Sequence, residues 1–233
     1  MSFKTFESHK KIRRLLGWSI IVMFVLGIFA ETTRTSLIDW NDSHTTWNSI
    51  VQSRLAYSLM VVAFVAIILL DSVLAGGIFT IFKFRESVVV YLMVTLRFIY
   101  VAIKGVSIIG LLLAAGIYFN GHYGEDSASQ ALAYLRFHDS GFGIGLIVFG
   151  FHLLFLAYIA RQMQFPKWIW WLLGLAGLGY IANSLSSLLI QKELLQTVII
   201  IIFILPMTFS ELAFFLWLWL KPGAKFKEDG HGF

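Results

Sequence analysis

Long apolar runs separated by short polar stretches dominate the pattern along this chain. Six runs stand out, at about 15–31, 55–82, 88–119, 140–160, 167–190 and 194–220. A helix rises about 1.5 Å per residue, so roughly 20 apolar residues cross a hydrocarbon core of about 30 Å. The pattern therefore predicts an all-α, polytopic membrane helix bundle with six transmembrane helices, forming a single membrane domain over residues 1–233.

Composition supports this class. Hydrophobic residues make up 58% of the chain and charged residues only 13%, whereas a soluble domain carries about 25% charged residues. Too little polar surface is left to cover a globule in water. The chain has no cysteine, which excludes disulfides, thiolate catalysis and metal sites with Cys ligands.

Two connections between the runs are long and polar. The first extends from Thr32 to Ser53, and the second from Asn120 to Asp139. The second holds a short amphipathic piece at 131–137. The other connections are short, so neighbouring spans are expected to pack as antiparallel hairpins.

Lys and Arg are distributed unevenly between the two sides of the predicted membrane. Twelve lie on one side: Lys4, Lys10, Lys11, Arg13, Arg14, Lys83, Arg85, Arg161, Lys167, Lys221, Lys225 and Lys227. Four lie on the other side: Arg34, Arg54, Arg136 and Lys192. Because Lys and Arg concentrate on the cytoplasmic side of membrane proteins, both termini are predicted to be cytoplasmic. The expected partner of these basic residues is the lipid bilayer, and not nucleic acid.

Four charged residues lie well inside the spans: Asp71, Arg97, Lys104 and Glu211. A charge at mid-bilayer costs roughly 2.5–3.5 kcal/mol on insertion scales, so each requires a partner or a function. Asp71 lies 13 residues before the midpoint of the connection between spans two and three, and Arg97 lies 13 residues after it. In an antiparallel hairpin the two residues lie at the same height, which predicts an Asp71–Arg97 pair.

Other polar residues are predicted at two heights. Glu211 and His152 lie about 15 Å from the cytoplasmic ends of their spans at helical rise, near the Asp71–Arg97 level, with Asn183 slightly above. An outer group is predicted around Lys104. Its candidate members are Glu31, Arg54, His138 and Asp139.

Familiar site motifs give little further chemistry. Gly141, Gly143 and Gly145 follow no predicted strand, so they are no dinucleotide fingerprint, and Gly141 and Gly145 instead suit a close helix contact or self-association. His138 and His152 have the spacing of a two-haem helix, but no other span carries two histidines. We therefore predict no metal and no cofactor.

Stretches in spans four to six resemble a bacterial membrane family named domain of unknown function 4386. The resemblance rests on His138-Asp-Ser-Gly-Phe-Gly-Ile-Gly-Leu, on Phe149-Gly-Phe-His-Leu-Leu-Phe-Leu-Ala-Tyr and on Leu173-Gly-Leu-Ala-Gly-Leu-Gly-Tyr-Ile-Ala-Asn-Ser-Leu. Leu205-Pro206 and Ser210-Glu211-Leu-Ala continue it. The resemblance implies a multi-pass protein of the bacterial cytoplasmic membrane and supplies no activity.

The resemblance also implies candidate functional residues, namely Arg54, Arg97, His138, Asn183 and Glu211. The chain departs from the family pattern at two positions. Tyr100 stands where the family often has Glu, and Asn183 stands where it often has Asp. Both departures weaken a proton relay that would depend on those carboxylates.

Three classes of function remain open, and the sequence leaves undecided whether the chain is an enzyme. The first is binding or transport of a small molecule, ion or lipid through the buried polar layers. The second is an intramembrane enzyme that modifies lipid, with His138 as acid or base. The third is a sensor or scaffold in which the buried charges only fix helix register. Balanced charges distributed over several spans favour the first class. The ligand-binding candidates are Arg54, Asp71, Arg97, Lys104, His138, His152, Asn183 and Glu211.

Overall fold

The computed structural model describes residues 3–83, 88–121, 123–190 and 192–220. Within these ranges, seven α-helices and one π-helical turn follow one another. They are α1 Phe3–Leu37, α2 Ser43–Gln52, α3 Arg54–Phe82, α4 Val88–Asn120, α5 Glu125–Gln162, α6 Lys167–Leu185, the π-helical turn Ser186–Ile190, and α7 Glu193–Leu220. Of the residues in the charge count, Arg85, Lys221, Lys225 and Lys227 lie outside the described residues.

Six of the helices, all but α2, are long and apolar enough to cross a membrane. This confirms the prediction of an all-α protein with six spans. The helices alternate in direction, so α1 begins and α7 ends at the same end of the bundle. We call this end the terminal end and the opposite one the α2 end.

The predicted connection from Asn120 to Asp139 is wrong, because α5 begins at Glu125 and continues unbroken into the fourth span. The amphipathic piece is the first part of that long helix. Its buried residues Ala128, Ala131 and Leu135 recur at helical spacing and pack in the core. Acidic residues in the first turn also favour a helix start, since they complement the helix dipole.

The first polar connection also contains a helix that the sequence did not predict. Asp42 caps α2 by accepting hydrogen bonds from the backbone N–H groups of His44 (2.8 Å) and Thr45 (3.2 Å). The Thr45 hydroxyl donates to the same carboxylate, and these bonds lower the pKa of Asp42. Trp47 is buried against Tyr118 of α4, which holds α2 across the α2 end of the bundle.

The six long helices form a closed ring. Each packs mainly against its neighbours in sequence, and α1 packs against α7 to close the circle. At the terminal end all six helices contribute to one apolar core, and Trp18 of α1 contacts Trp219 of α7 with ring centroids 5.5 Å apart. Among the described residues, the apolar core of the α2 end contains side chains of α1 to α5 but none of α6 or α7.

Close helix crossings occur where the sequence has glycine. A Cβ atom at Gly141 would lie 2.8 Å from Ser107 Cβ of α4, and one at Gly145 would lie 3.4 Å from the Tyr100 ring. This confirms that the two glycines serve a close helix contact, and it places that contact inside the chain. A Cβ atom at Gly150 would lie 2.7 Å from the carbonyl oxygen of Gly177, so α5 and α6 also cross with backbones almost touching.

Candidate functional site

Arg97 is the centre of a buried ionic cluster in the terminal half of the bundle. Its Nη2 donates to Asp71 Oδ1 at 2.6 Å, which is the ion pair predicted from the α3–α4 hairpin. Both Arg97 nitrogens Nη1 and Nη2 also donate to the Glu211 carboxylate, in a two-pronged pair typical of guanidinium and carboxylate. The cluster thus joins α3, α4 and α7.

His152 of α5 completes the cluster on the guanidinium side. Its Nδ1 lies 2.7 Å from the backbone oxygen of Met93, which can only accept, so Nδ1 carries the proton. Its Nε2 then accepts from Arg97 Nη1 at 3.1 Å. The imidazole is therefore neutral, since a second proton would point at the guanidinium. The predicted layer of Asp71, Arg97, His152 and Glu211 is present as one hydrogen-bonded group.

The cluster has one negative charge in excess when both carboxylates are ionised, because Arg97 is its only charged donor. The Arg97, Asp71 and Glu211 side chains are 0%, 2% and 14% exposed, so water screens this charge only weakly. Asp71 Oδ2 and Arg97 Nε are buried and have no hydrogen-bond partner among the described residues. A buried carboxylate oxygen without a donor is costly unless a ligand, an ion or a proton occupies the space beside it.

Asp71 and Glu211 also line a cavity of about 320 Å³ between the helices. All six long helices contribute to its wall, and its polar lining comes from six residues. They are Glu31, Asp71, Tyr100, Tyr180, Thr208 and Glu211. Apolar and aromatic side chains form the remainder, including Phe142 and Phe149. No Lys, Arg or His is part of the described lining, so the charged groups on the cavity wall are all carboxylates.

Phe149 separates the Arg97 guanidinium from part of the cavity. Its ring lies 5.5 Å from the Arg97 Cζ atom and stacks on His152 with centroids 5.7 Å apart. Tyr180 packs edge-on against the same ring and donates its hydroxyl to the Met207 carbonyl at 2.8 Å. Met207 follows Pro206, which cannot donate a backbone hydrogen bond inside α7. The Tyr180 hydroxyl therefore links the Phe149 and Tyr180 side of the cavity to α7 at the residue that follows Pro206.

Lys104 borders the cavity from the α2 end. Its ammonium donates to the Tyr100 hydroxyl at 3.0 Å and lies 5.0 Å from the ring centroids of Tyr100 and Phe142. Both rings line the cavity, so they already hold one cation by cation–π contact. No carboxylate among the described residues lies within 4.0 Å of the Lys104 ammonium.

The predicted outer group is arranged differently from the expectation. Glu31 pairs with Arg34 of its own helix at 2.9 Å, and Arg34 also binds Asp139 of α5 at 2.9 Å. Arg34 was not among the predicted site residues, although it lies three residues after Glu31 on one helix face. Glu31 reaches the cavity wall at its α2 end.

His138 lies apart from the acidic cavity wall. It is buried, its Nδ1 donates to the Ser107 carbonyl at 3.1 Å, and its ring packs between Phe64 and Phe142. The neighbouring Asp139 binds Arg34 instead of His138. The arrangement that would support an acid–base role for His138, an open cleft shared with Asp139, is not found among the described residues.

Two further candidates lie outside the cluster. Arg54 is exposed at the start of α3, with its guanidinium 4.4 Å from the Phe119 ring centroid. Asn183 is half-buried on α6, one turn beyond Tyr180, and is not part of the cavity lining. Neither residue joins the hydrogen-bonded group around Arg97 in the described part of the chain. No group of three or more His, Asp or Glu side chains there is arranged to hold a metal ion.

Sequence reasoning missed the aromatic half of the site. Tyr100 was noted only as a departure from a family pattern, and Phe142, Phe149 and Tyr180 resemble ordinary core aromatics in a membrane span. The signal available was position: Tyr100 lies three residues after Arg97 and four before Lys104, so the three share a helix face.

Comparison with known proteins identifies the family of this chain but gives no activity or ligand. The family model for the domain of unknown function DUF4386 matches residues 15–221. No curated protein and no solved structure matches the chain. The matched segment overlaps all six spans and includes every residue of the Arg97 cluster, so the chain belongs to the DUF4386 family.

Proposed function

We propose that this member of the DUF4386 family is a membrane-embedded binding protein or carrier whose cavity accepts a small organic cation. The observation that carries the proposal is the acidic wall. Asp71 and Glu211 face a cavity of about 320 Å³ with one guanidinium to share between them, and Asp71 Oδ2 has no donor among the described residues. A ligand with an ammonium group would donate hydrogen bonds to the carboxylates on this wall, which are the acceptors that the Arg97 guanidinium leaves incompletely satisfied.

The shape and lining of the cavity support an organic cation over a bare metal ion. Binding pockets for small molecules occupy about 300–1,000 Å³ and are mostly apolar with a few polar groups, as this cavity is. Tyr100, Phe142 and Phe149 present aromatic rings to it, and aromatic rings attract ammonium groups. The Lys104 ammonium against two of these rings is an intramolecular example of the same contact.

The two alternative functions receive less support. A scaffold whose charges only fix helix register requires closed ion pairs without adjacent space, whereas here a cavity lies against Asp71 and Glu211. A lipid-modifying enzyme requires an accessible acid or base, whereas the His138 side chain packs among aromatic rings and is 2% exposed.

We also propose that both termini face the cytoplasm of a bacterium and that the six helices span its cytoplasmic membrane. The positive-inside rule supports this orientation, because the exposed basic residues at the terminal end outnumber those at the α2 end. In this orientation, Glu31 is at the outward-facing end of the cavity and the Arg97 cluster at its inward-facing end.

The test is to identify what the purified protein retains. Protein is prepared in lipid nanodiscs, and small molecules released on denaturation are identified by mass spectrometry for the wild type and for Glu211→Gln. The control is Glu125→Gln, which removes an exposed acid at the α2 end. We expect an amine that is retained by the wild type and by the control and is lost from Glu211→Gln. Retention of an anionic or neutral molecule, or of an amine equally in all three proteins, would contradict the proposal.

A further inference from the structure

A second cavity lies at the terminal end of the bundle, outside the helix ring. It has a volume of about 560 Å³ and lies at the turn that joins α5 to α6. Six residues line it: Arg161, Gln164, Phe165, Lys167, Trp170 and Trp171. None of these residues takes part in the Arg97 cluster or in the acidic cavity, so the two sites are separate.

The charge of this second cavity is opposite to that of the first. Arg161 and Lys167 are both exposed, and no acidic residue lines the cavity in the described part of the chain. The sequence from Ser140 to Lys192 contains no Asp or Glu at all. Neither cation forms an ion pair with a carboxylate among the described residues, so the cavity attracts anions.

The turn is anchored firmly enough to keep the cavity in shape. Phe165 is 3% exposed and packs between Phe214 and Trp217 of α7, with ring centroids 5.2 Å and 4.4 Å away. Gln164 adopts a φ of 55°, which is unusual for a residue other than glycine, and its N–H donates to the Arg161 carbonyl at 3.1 Å. The tight turn brings Arg161 and Lys167 to the same opening.

Aromatic side chains fix the guanidinium and place the cavity at the membrane surface. Arg161 Cζ lies 5.5 Å from the Trp170 ring centroid, which is a cation–π contact, and Trp170 stacks on Trp171. Trp168 and Trp171 are more than half exposed at the end of a membrane-spanning helix. Tryptophan at such a position marks the level of the lipid headgroups.

We propose that the cavity between α5 and α6 binds the phosphate group of an anionic phospholipid. Arg161 supplies a planar fork of donors that matches phosphate oxygens, and Lys167 supplies a second positive charge. The exposed Trp171 ring lies where the glycerol and upper acyl chain of the same lipid would pass. This proposal does not depend on what binds in the cavity lined by Asp71 and Glu211.

The test compares two double variants that remove equal charge. Arg161→Gln with Lys167→Gln alters the cavity, whereas Lys10→Gln with Lys83→Gln removes two exposed lysines elsewhere at the terminal end. Each protein is reconstituted in phosphatidylcholine nanodiscs with and without phosphatidylglycerol, and the bound lipid is counted by native mass spectrometry. We expect the wild type and the control to retain phosphatidylglycerol selectively, and the cavity variant to lose at least about tenfold in apparent affinity.

A third variant separates a shaped site from a general charge effect. Arg161→Lys keeps the charge but loses the forked donor and the ring contact, so we expect it to bind phosphatidylglycerol more weakly than the wild type and more strongly than the double variant. Equal losses in the cavity and control variants would overturn the proposal. So would displacement of the lipid by millimolar inorganic phosphate, which would identify free phosphate as the ligand.

Discussion

At the residue scale, the molecule is organised around one buried guanidinium. Arg97 satisfies its Nη1 and Nη2 groups with two carboxylates and one neutral imidazole, and each partner comes from a different helix. A charge in the membrane interior is tolerated when every such partner is in place. The same arrangement leaves Asp71 Oδ2 without a hydrogen-bond donor among the described residues, and Asp71 lines the cavity of the proposed cation site.

Removing Arg97 should be more damaging than removing the whole ionic cluster. Arg97→Met leaves Asp71 and Glu211 buried without their donor, and breaking a buried pair in this way costs about 3–5 kcal/mol. Adding Asp71→Asn and Glu211→Gln to Arg97→Met removes the stranded charges, so we expect the triple variant to recover part of the loss. Thermal unfolding in detergent measures both. A triple variant no more stable than Arg97→Met would show that burial of charge is not the cause.

The sequence predicted the height of the cluster residues along the bundle axis, but not which way their side chains face. The short connection between α3 and α4 fixes their relative register, so residues equidistant from it meet, as Asp71 and Arg97 do. Distances from the span ends placed Glu211 and His152 at the same level. The rotation of each helix about its axis depends on packing, which is why Asn183 was expected near the layer and lies outside the cavity lining.

At the element scale, glycine decides which helices approach closely. The α5–α6 crossing brings Gly150 and Gly177 into backbone contact, whereas Gly105 of α4 has no atom within 4 Å of a Cβ position. The same close packing along α5 positions His152 and Phe149 against α4. The geometry of the site therefore depends on glycines that do not line it.

Matched alanine substitutions test this directly. Gly150→Ala places a methyl group 2.6 Å from Ile181 Cγ1, and such overpacking costs about 1–3 kcal/mol. Gly105→Ala adds a methyl group in open space and improves helix propensity by about 0.8–1 kcal/mol. We expect the first variant to unfold at a lower temperature than the wild type and the second to unfold at an equal or higher one. Equal melting temperatures for the two would contradict the assigned crossing.

Helix ends were the least predictable feature at this scale. The polar residues before Asp139 suggested a loop, yet α5 continues through them because one face carries alanine and leucine that pack against α2 and α4. The amphipathic first part of α5 extends beyond the apolar run of its span. Hydropathy alone therefore places the start of the helix too far along the chain. The α2 helix was missed for a related reason, since it is short and mostly polar.

At the scale of the whole molecule, the six spans form a ring whose α2 end is packed unevenly. The apolar core of the α2 end contains side chains of α1 to α5. The first half of α7 exposes a series of large apolar residues there, including Leu194, Ile201 and Leu205. Lipid is expected to cover them, since the helix is apolar enough to lie in the membrane. The cavity beside Asp71 and Glu211 is lined by the second half of α7, from Met207 to Leu212.

The proposed orientation can be tested with single cysteines, because the chain contains none. Asn48→Cys places a thiol at an exposed position of α2, and Gln162→Cys places one at the end of α5 on the terminal side. A membrane-impermeant maleimide should label Asn48→Cys in intact cells and Gln162→Cys only after permeabilisation. The reverse pattern would show that the termini face outward.

The central claim is that the cavity beside Asp71 and Glu211 selects a positive charge. The most direct measurement is calorimetric titration of the nanodisc-embedded protein with benzylammonium and with benzoate, which share a ring and differ in charge. Saturable binding of benzylammonium alone, weakened about tenfold or more by Glu211→Gln, is the predicted result, since that change removes a carboxylate from the cavity wall. Binding of benzoate instead, or benzylammonium binding that is unchanged by Glu211→Gln, would contradict it.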